Sequence, residues 1–182
     1  MNSYDSIKMA NLLKSSLGMI ASEKPDHADL VIMNTCSIRE KAQEKVFSEL
    51  GKWRKKILKN PDVVIVLAGC VASQEAEAIF DRNKDVHIVI GPQSIHRLAD
   101  LYINYLNTKQ VQIDVSFPDI EKFDKLPSEN QTTTSAYVSV MEGCNQYCSY
   151  CIVPYTRGEE ISRPYIDIIK EDLLSLIRQS SY

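Results

Sequence analysis

Three cysteines fall within eight residues, in Cys144-Asn-Gln-Tyr-Cys148-Ser-Tyr-Cys151. A Cys-x3-Cys-x2-Cys run brings three thiolates to one small volume, one fewer than a closed tetrahedral site needs. A cubane 4Fe-4S cluster is normally held by four thiolates, so three leave one iron open to a substrate or cofactor. A structural zinc site would want a fourth Cys or His in ribbon or finger spacing. The nearest upstream histidine is His96, and none lies between Cys151 and Tyr182. A disulfide framework suits short secreted chains, but the five cysteines are odd in number and no leader-like segment opens the sequence. The cluster reading stands first and zinc second.

The other two thiols are Cys36, in Asn34-Thr-Cys-Ser37, and Cys70, in Ala68-Gly-Cys-Val71. Each follows a short apolar run, Asp29 to Asn34 and Val63 to Ala68, of the kind a parallel strand buried on both faces requires. A third such run is Val86 to Ile90. Between and around these runs the apolar period is helical: Tyr4 to Ala21, Arg39 to Asn60 (with Ala42, Val46, Leu50, Trp53 and Ile57 on one stripe), Ala72 to Arg82, and a helix capped by Ser94 that runs to about Leu106. This alternation implies a parallel sheet with right-handed crossovers and helices on both faces. Ligands of such sheets gather beyond the carboxyl ends of the strands. Alone, each cysteine reads as a small buried hydrophobe. At equivalent strand ends, the two are expected to share one site.

Composition is that of an ordinary globular domain: 182 residues, 44% hydrophobic and 25% charged, with a formal net charge of -3. No apolar run approaches a membrane span in length. With no global basic excess, contact with nucleic acid must come from local patches. Free cysteines without a targeting segment fit a reducing cytoplasm.

The organisation expected is a first domain over 1–107, a linker over 108–135 and a second unit over 136–182. The linker is rich in Asp, Glu, Lys, Pro and Ser. In the second unit, Ala136 to Met141 reads as a strand, Gly143 opens the cysteine loop, and Pro164 to Gln179 reads as an amphipathic helix. The basic cluster Lys52, Arg54, Lys55, Lys56 and Lys59 reads mainly as a solvated helix face, with nucleic-acid phosphates as the functional alternative. His27, His87 and His96 lack metal-ligand spacing and read as packing or surface residues. Glu142 reads as structural, and Gly91-Pro92 as a turn rather than a phosphate loop.

The cysteine run, with Tyr150 before its last cysteine, is similar to the radical S-adenosylmethionine signature. Asn34-Thr-Cys-Ser-Ile-Arg-Glu-Lys-Ala-Gln-Glu-Lys-Val-Phe-Ser-Glu-Leu-Gly51 resembles the N-terminal domain of the methylthiotransferases. Within them, Ser37-Ile-Arg-Glu-Lys41 and the long stretch Val138 to Pro164 resemble the tRNA-modifying, MiaB-type branch. The resemblance implies an α/β chain: an N-terminal parallel-sheet methylthiotransferase domain, followed by the first βα unit of a radical SAM (partial TIM-type) barrel. It implies methylthiolation at C2 of N6-isopentenyladenosine-37 in tRNA. It also implies two 4Fe-4S clusters and S-adenosyl-L-methionine, one cluster on Cys144, Cys148 and Cys151 and an auxiliary one on Cys36 and Cys70. Tyr150 and Arg157 are the expected cofactor-binding residues, the stretch holding Arg157, Glu159, Glu160 and Arg163 lying by the active site. Expected partners are tRNA and an electron donor such as flavodoxin or ferredoxin, for a monomeric cytoplasmic protein with no membrane contact.

The family's third auxiliary ligand precedes a Met-Asn pair, whereas this sequence begins at Met1-Asn2. The expectation is therefore a fragment shortened at both ends and inactive in methylthiolation by itself. The alternatives are a methylthiotransferase acting on a ribosomal-protein aspartate, or a non-enzymatic iron–sulfur or zinc-binding remnant.

Overall fold

The computed structural model describes residues 2–22, 28–37, 44–51, 62–117 and 138–170. Its centre is a four-stranded, all-parallel sheet in the order β1-β2-β3-β4: Leu30–Thr35, Val64–Gly69, Ile88–Ile90 and Gln112–Asp114. Strand β2 is buried throughout, because both of its faces carry helices. Val64, Val66 and Ala68 point to one face, where they meet Met9, Leu12 and Leu13 of helix α1 (Asn2–Leu17) and Leu98 and Tyr102 of α5 (Leu98–Thr108). Ile65 and Leu67 point to the other, against Val46 and Leu50 of helix α2 (44–51), Ala72 of α3 (Cys70–Glu75) and Ile79 of α4 (Ala78–Arg82). The two-residue alternation of a pleated strand thus divides one apolar run between two cores. Each fully buried Val, Leu or Ile contributes roughly 1.5–3 kcal/mol. Among the described residues β1 is an outer strand, and an apolar groove of about 720 Å³ runs between it and α1, lined in part by Leu13, Leu17, Leu30 and Ile32.

Several elements differ from the sequence reading. The helix expected over Ala72 to Arg82 is two short helices, because Ala76 takes a left-handed φ of 46° that interrupts the ladder. Ser94 does not cap α5. A 3-10 turn, Ile95–Arg97, precedes that helix, and the Ser94 hydroxyl bonds instead to Asp114 Oδ1 at 2.9 Å and the Ser116 carbonyl at 3.0 Å. Strand β4 lies inside the stretch read as a linker. It is held there by the β3 ladder and by Arg97 Nη1 on Asp114 Oδ2 at 3.0 Å. The crossovers are not all of one hand. Helices α2, α3 and α4 carry the first two across one face and α5 carries the third across the other, while the strand order keeps advancing. The third crossover therefore has the opposite hand to the first two. Its helix covers Ile88 and Ile90, which α1 alone would leave open on that face.

Most of the helix expected over Arg39 to Asn60, including Trp53, Ile57 and the basic cluster, lies outside the described residues, as does His27. In the second unit residues 138–140 have no regular structure. Met141–Glu142 (β5) pairs antiparallel with Ile161–Ser162 (β6), a small ribbon that carries the cysteine loop, and residues 165–170 of the expected last helix are helical.

His87 extends the β2–β3 ladder with its side chain. Its N–H donates to the Ile65 carbonyl at 2.9 Å, and its Nδ1 accepts the Ile65 N–H at 3.0 Å. The ring also packs at 4.8 Å on Tyr105. Burial pushes the imidazole below its ordinary value of 6.5, with Asp85 opposing the shift and Lys109 adding to it. A protonated Nδ1 could no longer accept that bond. As pH falls through 6.5, the unfolded chain takes up the proton before the folded one, so folded stability declines with acidification in that window. The melting temperature is expected to fall between pH 7 and pH 5, and to fall less in His87→Asn, whose Oδ1 accepts without titrating. Equal slopes for parent and variant would refute this.

Candidate metal centre

Cys36 and Cys70 each follow the last residue of a strand, and the ladder pairs Thr35 with Gly69. The register therefore sets the two cysteines at neighbouring strand ends. Cys70 opens α3 and is buried, while Cys36 is half-buried, and both thiols are free. Thr35 Oγ1 donates to the Ala68 carbonyl at 2.8 Å and fastens the strand ends together. Gly69 has φ 95°, and a Cβ on it would lie against the Thr35 carbonyl and 2.6 Å from Asn34 Oδ1. Only glycine accommodates that approach.

The loop from Cys144 to Cys151 is anchored at its root and open at its tip. The Cys144 N–H donates to the Gly158 carbonyl at 3.2 Å, and Asn145 Oδ1 accepts the Glu160 N–H at 2.8 Å. Gly143, at φ 74°, passes so close to the 158–159 backbone that a Cβ would overlap the Glu159 carbonyl. At the tip, Cys148 is exposed and its carbonyl accepts the Cys151 N–H at 2.9 Å, closing a turn. Tyr147 takes a left-handed φ of 44°, meets Tyr155 edge-on at 6.5 Å and donates to Glu159 Oε1 at 3.3 Å. Tyr150 is 91% exposed.

A short helix, α6 (Val153–Arg157), follows the loop and seats it on the carboxyl end of the sheet. It packs against α3, the helix that Cys70 opens. Gln93, in the turn after β3, donates through Nε2 to the Arg157 carbonyl at 2.6 Å. A Cβ on Gly158 would lie 3.0 Å from the Phe117 ring, just beyond β4. Arg157 faces inward. Its Nη2 bonds to Asp5 Oδ2 of α1 at 3.1 Å and its Nη1 lies 3.5 Å from Glu142 Oε1, with side-chain exposures of 7%, 3% and 1% for Arg157, Asp5 and Glu142. Burial opposes its charge, but Asp5, Cys70 and Glu142 outweigh that and hold the guanidinium above its ordinary value. Glu142, expected to be structural, is one leg of this network. Asp5 gave no signal in the sequence, its partner lying 152 positions away.

Both cysteine sets thus belong to elements at one end of the sheet. Among the described residues no three His, Cys, Asp or Glu side chains converge as a metal site. The donor chemistry nevertheless fits an iron–sulfur group: every described cysteine is a free thiol, and three share one solvent-facing loop. His96 is buried within the 3-10 turn, and His87 serves the ladder, so neither joins the site. No helix among the described residues is long and apolar enough to cross a membrane.

A doubly covered parallel sheet with thiols where strands end defines an α/β protein whose candidate site lies at the carboxyl edge. The profile of Uncharacterized protein family UPF0004 matches residues 1–91, and the chain belongs to that family. It is also homologous to proteins named tRNA-2-methylthio-N(6)-dimethylallyladenosine synthase. It is 55% identical to that of Ectopseudomonas mendocina, 56% to that of Polynucleobacter asymbioticus and 54% to that of Alcanivorax borkumensis, each over 171 residues. These alignments cover 94% of this chain and 38% of the length of each relative.

Proposed function

We propose that this chain carries the thiol-bearing part of a tRNA methylthiotransferase, a transferase of sulfur-containing groups acting on C2 of N6-isopentenyladenosine-37. The observation that carries the reading is the seating of α6, directly after the three-cysteine loop, on the helix that Cys70 opens. In this reading Cys144, Cys148 and Cys151 would hold one 4Fe-4S cluster that works with S-adenosyl-L-methionine, and Cys36 and Cys70 would supply two of the three ligands of an auxiliary one. Bound there, these groups supply radical and sulfur-transfer chemistry that no side chain can. The protein's own share is to bind and orient. Gly143 and Gly69 let two backbone stretches approach closely enough to present the thiols, and α6 closes the sheet end. The exposed rings of Tyr147, Tyr150 and Tyr155 flank the loop and suit stacking on nucleobases or an adenosyl group. Partners in this reading are tRNA and a flavodoxin- or ferredoxin-type donor, in the cytoplasm. The domain reading is carried with it, a methylthiotransferase domain over 1–107 and the start of a radical SAM domain over 136–182.

Anaerobic reconstitution with iron and sulfide tests the reading. Four irons per cubane predict about four per chain from the loop alone, with slow cleavage of added S-adenosylmethionine. Cys148→Ala should remove that iron and leave the sheet folded. Uptake of zinc only, or iron content unchanged in Cys148→Ala, would overturn it.

A further inference from the structure

Asp5 of α1, Glu142 of β5 and Arg157 of α6 are buried ionisable side chains that meet where the sheet adjoins the cysteine loop, and Lys8 of α1 is buried as well. Charges are withdrawn from water only where partners compensate them. Here one guanidinium stands between two carboxylates, and the Asp5–Arg157 pair spans the junction. Asp5 and Lys8 are one helical turn apart, on the same side of α1. Lys8 Nζ also lies 5.2 Å from the centre of the Tyr4 ring. The Cys70 thiol is the remaining titratable group facing Arg157, and it is 5% exposed beneath α6.

We propose that Arg157 is a positioning residue, a buried latch that seats α6 over Cys70 and so keeps the loop thiols and the strand-end thiols at the same end of the sheet. This deepens the cluster reading above and rests on it for the meaning of the thiols, though not for the latch itself. The planar guanidinium suits the task because its fork reaches two carboxylates on different elements at once, which a lysine ammonium does less well. The Gln93 bond to the Arg157 carbonyl fixes the backbone of the same residue from the β3 turn. Arg157 is thus tied at side chain and main chain to α1, β5 and the sheet end, and the loop follows it.

The test uses the full chain without metal. Alkylation of each cysteine by N-ethylmaleimide at pH 7 is followed by peptide mass spectrometry, and amide exchange is measured on the same samples. In the parent, Cys148 reacts fast and Cys70 slowly. Arg157→Gln is expected to speed modification of Cys70 by about tenfold or more as α6 lifts. Cys148 and the amides of β2 should stay as in the parent. Arg157→Lys keeps the charge and should restore part of the protection. Should Arg157→Gln fail to fold, shown by loss of β2 protection, Asp5→Asn carries the test, since it removes the same pair from α1. An unchanged Cys70 rate in any folded variant lacking the pair would overturn the proposal. The cluster reading fails separately: rate changes as expected with no iron uptake would defeat that reading and leave the latch standing, and iron uptake with unchanged rates would do the reverse.

Discussion

Gly143→Ala is expected to unfasten the cysteine loop while the parallel sheet stays folded. Gly143 sits at φ 74°, where an alanine costs roughly 1–2 kcal/mol from backbone sterics alone. Its Cβ would also overlap the Glu159 carbonyl, which is backbone and cannot rotate aside as a side chain could. Relief requires β5 and the 158–159 stretch to separate, which breaks the Cys144 N–H bond to the Gly158 carbonyl and strains the two-residue β5–β6 ladder. The ribbon is too short to absorb that loss. Amide exchange across 141–162 is expected to rise by about tenfold or more, with β2 and β3 unaffected. Iron bound by the loop in a reconstituted sample should fall with it. Exchange equal to the parent's would show that the close approach does not hold the loop.

Gly69→Ala should act at the other thiol pair and on the whole fold. Gly69 closes the β1–β2 ladder opposite Thr35 at φ 95°, and its missing Cβ is what lets the Thr35 carbonyl and Asn34 Oδ1 come near. An added methyl must push apart two strands that are packed between helices, one of them fully buried. A loss of about 2 kcal/mol or more is expected, lowering the melting temperature by about 4–8 °C for a chain of this size. A variant melting within a degree of the parent would dismiss the argument. The two glycines share a design: each immediately precedes a proposed ligand cysteine, and each places a neighbouring backbone oxygen where a side chain would begin.

That shared design was only half visible in the sequence. The apolar runs around Leu30 to Asn34 and Val64 to Ala68 were long enough to show parallel strands, though only the second is buried throughout and the first is a half-buried outer strand, and from them came the juxtaposition of Cys36 and Cys70 at neighbouring strand ends. The Cys144–Cys151 loop was legible from spacing alone. Strand β4 was not, because Gln112-Ile-Asp114 is too short for any period to register and is made a strand by its neighbour and by Arg97. The break at Ala76 was hidden by ordinary helix-forming residues on either side, the left-handed φ being a tertiary outcome. Arg157 stood in the sequence as an expected cofactor-binding residue, on resemblance alone. What buries it are carboxylates on α1 and β5, and no local pattern announces partners so far away.

The span between those partners has a consequence for the order of assembly. A chain synthesised from its N-terminus exposes Asp5 152 residues before Arg157 exists. At ~5–20 residues per second, that interval is about 8–30 s. Until it ends, the Asp5 carboxylate has no guanidinium to compensate its removal from water, so the first turn of α1 is expected to remain solvated against an otherwise finished sheet. Cys70, which lies in the helix that α6 packs on, is made later and would stay uncovered for about 4–17 s at the same rate. The order of synthesis then opens a window in which Cys70 is reachable, and the arrival of α6 closes it.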